Sequence, residues 1–209
     1  VSLAAVRSGL VARTTPLHVV AFGVGIQAIR HVATVVDVIE GVRPLASVTY
    51  ITRRPEVADV PTIAGVTPVV LGSGTAAADE AVAQAGFIAC ATSATDPVFD
   101  GSLAADDVIV VAVGSHDPGK REVDEQLVGR STVIVEEVDT ALREGGDVIQ
   151  AIGRGTLQAE DLIPLNTAVV EETAAHASGP VFFKSSGMAW QDLVVASAVL
   201  GRSGGTSAT

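Results

Sequence analysis

The sequence predicts an α/β protein, a doubly wound parallel sheet with helices on both faces. Three observations carry that expectation. Strand-like runs rich in Val, Ile and Leu alternate with helical stretches along most of the 209 residues, and strands separated by helices imply right-handed βαβ units. Apolar residues make up 48% of the chain but aromatics only 3%. The core must therefore be assembled from Val, Ala, Ile and Leu, the mix of a sheet covered on both sides by small-residue helices. The length is that of one sizeable domain with a core of its own.

The elements follow in order. Val1 to Arg13 reads as a helix with Leu3, Val6 and Leu10 on one face and Val11 at its margin, a connecting helix within residues 1–16. Leu17–Phe22 is the first strand, and an apolar-periodic helix over Ile26–Glu40 follows it. Ser47–Ile51 forms the second strand, Val66–Leu71 the third and Phe87–Ala91 the fourth, with a short Ala-rich helix at Ala76–Gln84. Val108–Val113 and Thr132–Glu136 are the fifth and sixth. Val181–Phe183 is a last short strand before the amphipathic stretch Gly187–Leu200. Six strands of this kind suit the spatial order 3-2-1-4-5-6. Asp147–His176 is less regular, broken by Gly153-Arg154-Gly155 and Pro164. Residues 17–200 thus form the domain, and the Gly/Ser/Thr-rich residues 201–209 a flexible tail.

Between the first strand and its helix stands Gly23-Val-Gly25-Ile-Gln27-Ala28. Strand, glycine turn and helix in succession are the context in which such a motif binds a dinucleotide. Gly23 would permit the tight turn, Gly25 the approach of a pyrophosphate, and Ala28 close packing of helix on strand. The phosphates would lie on the free N–H groups of the helix start. The expected fold is accordingly Rossmann-like.

Composition narrows the partners. The formal charge is −11, from 13 basic and 24 acidic residues. No clustered basic face is present, which argues against nucleic acid. No apolar run reaches the length of a membrane span, and Val1-Ser2-Leu3-Ala4-Ala5 lacks the basic region of a secretory signal. The single cysteine, Cys90, lies inside Phe87-Ile-Ala-Cys-Ala91 as a small buried hydrophobe rather than a nucleophile. The expected compartment is the cytoplasm, and no metal site is expected. The chain starts without Met, as a processed protein or a piece of a longer one would.

Ligands of open parallel sheets bind beyond the carboxyl ends of the strands, and three further stretches lie there. Thr52-Arg53-Arg54 follows the second strand, where a reader of NAD has an acid for the ribose. A guanidinium fork instead suits the 2′-phosphate of NADP, so NADP(H) is expected in preference to NAD(H); a solvated basic turn is the plainer alternative. Thr92, Ser93 and Thr95 follow the fourth strand and offer hydroxyls to a ribose or pyrophosphate, as many ordinary loops also do. Val113-Gly114-Ser115-His116-Asp117 follows the fifth, bringing a candidate acid/base pair, His116 and Asp117, to where a nicotinamide would lie. The same loop could instead be no more than a turn leading into the following helix.

Together these loops resemble the ornithine cyclodeaminase/mu-crystallin family. The likeness rests on Gly23–Ala28, Ala91-Thr-Ser-Ala-Thr-Asp-Pro-Val-Phe-Asp-Gly101, Ala112-Val-Gly-Ser-His-Asp-Pro-Gly-Lys-Arg-Glu-Val-Asp124 and Val181-Phe-Phe-Lys-Ser-Ser-Gly-Met-Ala-Trp-Gln-Asp192. It implies an NAD(P)-binding domain ordinarily preceded by a substrate and dimerisation domain, which on this likeness is expected to fall outside the 209 residues. It further implies hydride transfer through an imine of a small amino acid or keto acid, and Lys184 and Ser185 near the nicotinamide. The position of the cyclodeaminases' catalytic Asp falls on His116, with Asp117 one place late, which counts against ornithine cyclodeamination. Two readings remain open, an imine or amino-acid oxidoreductase in the complete protein and a module that holds NADPH without turnover. The chain would be a monomer, or a homodimer paired through the apolar face of Val1–Arg13.

Overall fold

A computed structural model describes residues 1–203. Eight strands make one sheet: β1 Leu17–Phe22, β2 Leu45–Thr52, β3 Val69–Gly72, β4 Phe87–Cys90, β5 Ile109–Ala112, β6 Thr132–Val135, β7 Ile163–Pro164 and β8 Val181–Lys184. All the pairings between them are parallel. The helices are α1 Ser2–Val11, α2 Ile26–Ile39, α3 Ala76–Gln84, α4 Glu125–Gly129, α5 Val138–Glu144, α6 Gly146–Gly153, α7 Leu165–Val170, α8 Thr173–His176 and α9 Ala189–Ser203.

The strand order is β3-β2-β1-β4-β5-β8-β6-β7, which corrects the expected order in one place. β8 enters between β5 and β6, so that Val110 and Val133 both face Phe182 across the ladder. The expected order placed β6 beside β5 because a strand's own pattern does not record its neighbours. The first five positions stand, with the switch point between β1 and β4.

Alternation along each strand fills both faces. Val20, Phe22, Ile88, Cys90, Val110, Val133 and Phe182 point to a layer containing α3, α4, α5 and α6. Val19, Ala21, Phe87, Ala89, Ile109, Val111, Ile134 and Phe183 point to a layer of α1, α2, α7 and α8. Cys90 is wholly buried, and desolvation pushes its thiol well above the ordinary range. The apolar face of α1 is not left open for a dimer. Leu3, Val6 and Leu10 are covered by this chain's own α2, α8 and sheet, so the pairing expected through that face has no surface to use. Gly9 lets α1 approach α8 closely, since a Cβ there would meet the Ala174 carbonyl oxygen at 2.6 Å.

α9 continues three residues past the expected end of the domain, and Leu193, Val194, Val195 and Leu200 on it are exposed. The remainder of the expected tail, residues 204–209, lies outside the described residues.

Candidate functional site

The loops after β1, β2, β4, β5 and β8 meet above the switch point. β1 ends in Gly23, whose φ of +101° belongs to the region only glycine occupies without strain. A Cβ there would also lie 2.7 Å from the Ala91 carbonyl oxygen. Gly25 caps α2 with ordinary φ of −79°, and a Cβ there would meet nothing within 4 Å. The first turn of α2 has no side-chain cap, so its N–H groups open onto that free space. Ala28 is buried beneath the helix, and Gln27 is exposed.

On one side of this turn is a cleft of about 700 Å³ lined by Gly23, Thr52, Arg53, Ser73 and the loop Ala91–Val98. The structure thus brings Gly23, Thr52, Arg53, Thr92 and Ser93 together. Arg54 does not line the cleft; it is exposed, and its backbone N–H reaches the Thr52 hydroxyl at 3.4 Å. On the other side, a pocket of about 430 Å³ is lined by Gln27, Arg30, His31, Val113, His116 and Ser185 among others. His31 donates from Nδ1 to the Gln27 carbonyl at 2.8 Å, which leaves Nε2 to accept from the Ser2 hydroxyl at 3.3 Å. Burial holds its pKa below the usual histidine value.

His116 and Asp117 part company. His116 is exposed at the mouth of the second pocket. The Asp117 carboxylate instead turns back to accept the Gly119 N–H at 2.8 Å and faces Lys120 at 3.9 Å. Both residues border a third hollow with Ser93 and Gly114, but Asp117 has no share in the pocket beside α2.

Several expected ligand contacts are committed to the protein itself. Thr92 donates both its N–H (2.7 Å) and its hydroxyl (2.8 Å) to Glu122. Thr95 donates to Asp96, whereas Ser93's hydroxyl has no protein partner among the described residues. Ser185 donates its hydroxyl to Glu136 at 2.9 Å. Lys184 departs most from the sequence reading. It is fully buried, donates to the Ser115 carbonyl and pairs with buried Asp147 at 3.1 Å. It supports the loop after β5 from behind and presents no ammonium to the pockets.

Sequence reasoning missed Glu136. Standing just past β6, it accepts from the Ser185 hydroxyl, the Ser186 N–H at 3.1 Å and Gln191 at 3.0 Å, fixing the loop after β8. No motif marks it; its sequence pattern is only that of a strand end. Asp147 gave no signal either, lying in the stretch that looked least regular.

Fold and site define a class: a Rossmann-like α/β domain with a glycine turn and an uncapped helix start at its switch point. The sequence matches the ornithine cyclodeaminase/mu-crystallin family over residues 11–206, and the chain belongs to that family. It is 33% identical over 120 residues to ketimine reductase mu-crystallin of Mus musculus, covering 57% of this chain and 36% of that protein. To Delta(1)-pyrroline-2-carboxylate reductase of Bacillus cereus it is 36% identical over 123 residues, covering 57% of this chain and 38% of the relative. These matches span little more than a third of either relative. Among solved structures, Thermococcus litoralis Delta(1)-pyrroline-2-carboxylate reductase, in complex with NADH and L-proline, superposes with a TM-score of 0.76 at 22% identity. That superposition covers 92% of this chain and 60% of the other.

Proposed function

We propose that this chain is the dinucleotide-binding part of an imine or amino-acid oxidoreductase that takes NADP(H) in preference to NAD(H). The observation that carries the reading is the open space at Gly25, facing the uncapped N–H groups of α2. A helix start of this kind favours a pyrophosphate, so the residues present fit the group. Gly23, Gly25, Gln27 and Ala28 would form its cradle, and Ser93, with a free hydroxyl, borders both the cleft and the hollow beside Gly114. Arg53 at the cleft wall supplies the charge for a 2′-phosphate, with Thr52 beside it.

Bound there, the nicotinamide would supply hydride chemistry at a C=N carbon, the bond that the names of both curated relatives concern. Val113 and Gly114 form the wall on that side. His116, exposed beside the pocket, is the residue placed to hand over a proton; Asp117 is turned away. The substrates are small imino or amino acids.

Fluorescence titration with NADPH and NADH tests the cofactor. Arg53→Ala should weaken NADPH by roughly tenfold to a hundredfold, the size of a lost charge-assisted bond, and leave NADH little changed, with a smaller effect for Arg54→Ala. Equal losses for both nucleotides would refute the preference. Oxidation of NADPH against cyclic imines, and against keto acids with ammonia, tests the reaction. NADPH binding without turnover of any substrate would favour the holding module.

A further inference from the structure

The run Arg121-Glu122-Val123-Asp124 belongs to none of the pockets, yet it fastens the loops that form them. The Val98 N–H donates to the Glu122 carbonyl at 2.9 Å, and the Arg121 N–H to the Thr95 carbonyl at 3.3 Å. Asp124 accepts the Gly101 N–H at 2.7 Å while capping α4 through the Leu127 N–H at 2.9 Å. Phe99 is held against Phe22 with ring centroids 5.2 Å apart. The whole loop after β4 is thereby buttoned to one short segment.

The centre of this arrangement is the Glu122 carboxylate, wholly buried. Oε1 takes the Thr92 N–H and hydroxyl, and Oε2 takes the Gly114 N–H at 2.7 Å. One carboxylate therefore spans the rim after β4 and the rim after β5. Beneath it, Asp147 accepts the Glu122 and Val123 N–H groups at 2.7 and 2.8 Å and faces the Lys184 ammonium at 3.1 Å. Space here is tight: a Cβ on Gly114 would fall 2.0 Å from the Thr92 carbonyl oxygen and 2.5 Å from Glu122 Oε1. A buried carboxylate is costly unless its acceptors are filled. A hydrophobic residue would pack there without that cost, but it would leave the two rims unconnected.

We infer that Glu122 is a positioning residue for the nicotinamide half of the bound dinucleotide, setting the distance between the Thr92–Ser93 and Val113–Gly114 rims. The inference rests on the dinucleotide reading above. Glu122 does not touch the ligand and acts through Gly114 and Thr92. The adenosine half lies against Thr52 and Arg53, which follow β2 and make no bond to Glu122.

The test is Glu122→Gln, which keeps the shape and the Oε1 acceptor but sets an amide N–H₂ against the Gly114 N–H. Binding of NADPH and of adenosine 2′,5′-bisphosphate, which lacks the nicotinamide half, is measured well below the unfolding midpoint. Expected are a loss of about tenfold or more for NADPH, the size of one unsatisfied buried group, and an unchanged bisphosphate affinity. The Gly114 amide proton should move upfield in the NMR spectrum as its carboxylate acceptor is lost. Glu122→Asp, which keeps the carboxylate but is one methylene too short to reach both rims, gives a second variant with the same expected pattern. Unchanged NADPH binding in both folded variants would overturn the inference, as would equal losses for both ligands. Failure of the unsubstituted chain to bind either nucleotide would instead remove the dinucleotide reading, and this inference with it.

Discussion

The turn at Gly23 and Gly25 allows a clean separation of fold from binding. Gly23→Ala meets two penalties. At φ +101° an L side chain is strained, which costs about 1–2 kcal/mol. The new methyl also sits 2.7 Å from the Ala91 carbonyl oxygen, and forcing an extra carbon into packed surroundings costs about 1–3 kcal/mol. Together they amount to about 2–5 kcal/mol, which at roughly 2–4 °C per kcal/mol for a domain this long lowers the melting temperature by roughly 4–20 °C. Gly25→Ala meets neither penalty, since its φ is −79° and its Cβ position is empty. Its cost is that of an altered helix cap, a few tenths to about 1 kcal/mol, but its methyl occupies the space a pyrophosphate needs. Circular dichroism melts paired with NADPH titrations should show Gly23→Ala unstable and Gly25→Ala stable but poor at binding. A Gly23→Ala protein melting within 2 °C of the parent, by the same scale, would refute the argument. So would a Gly25→Ala protein that binds NADPH normally.

Other expectations follow from single contacts. Ala64 and Gly65 form a two-residue hairpin turn with φ of +48° and +77°, closed by mutual bonds between Ile63 and Val66; Ala64→Asn, which tolerates that conformation, should raise stability by about 0.5–1 kcal/mol in urea unfolding. Glu125 accepts its own backbone N–H and the guanidinium groups of Arg121 and Arg154, which lowers its pKa to about 2. A lowered carboxylate pKa stabilises the fold above the unfolded value of 4.5 and loses that support as pH falls toward about 2. The melting-temperature deficit of Glu125→Gln should therefore be present at pH 7 and shrink steadily in acid. Lys184→Met leaves Asp147 buried without its cation and should cost about 3–5 kcal/mol in equilibrium unfolding, part of it recovered when Asp147→Asn is added.

Much of the frame was legible because it is local. β1 and α3 have the expected bounds, and α2 differs by one residue at its end, since a strand, a glycine turn and a 3.6-residue repeat each declare themselves within a few positions. The convergence of Gly23, Thr52, Arg53, Thr92 and Ser93 followed from the rule that strand ends gather. What escaped depends on partners distant in sequence. Lys184 looked like a residue at the mouth of a site, and only Asp147 and the Ser115 carbonyl make its burial tolerable. Glu122 was visible only as one letter of a motif, because its role lies in the separation of Thr92 from Gly114. β7 has two residues and α7 and α8 six and four, too short for any period to show.

The late arrival of β8 has a bearing on how the chain is made. Until Val181–Lys184 emerges from the ribosome, β6 and β7 have no hydrogen-bonded link to β1–β5, and the nascent sheet is two separate ribbons. The seam closes only when β8 slips between edges formed well before it. Such edges attract other strands while they wait. Nascent chains stalled before residue 181 should accordingly be open to proteolysis across β6 and β7, while the ribbon of β1–β5 is already shielded.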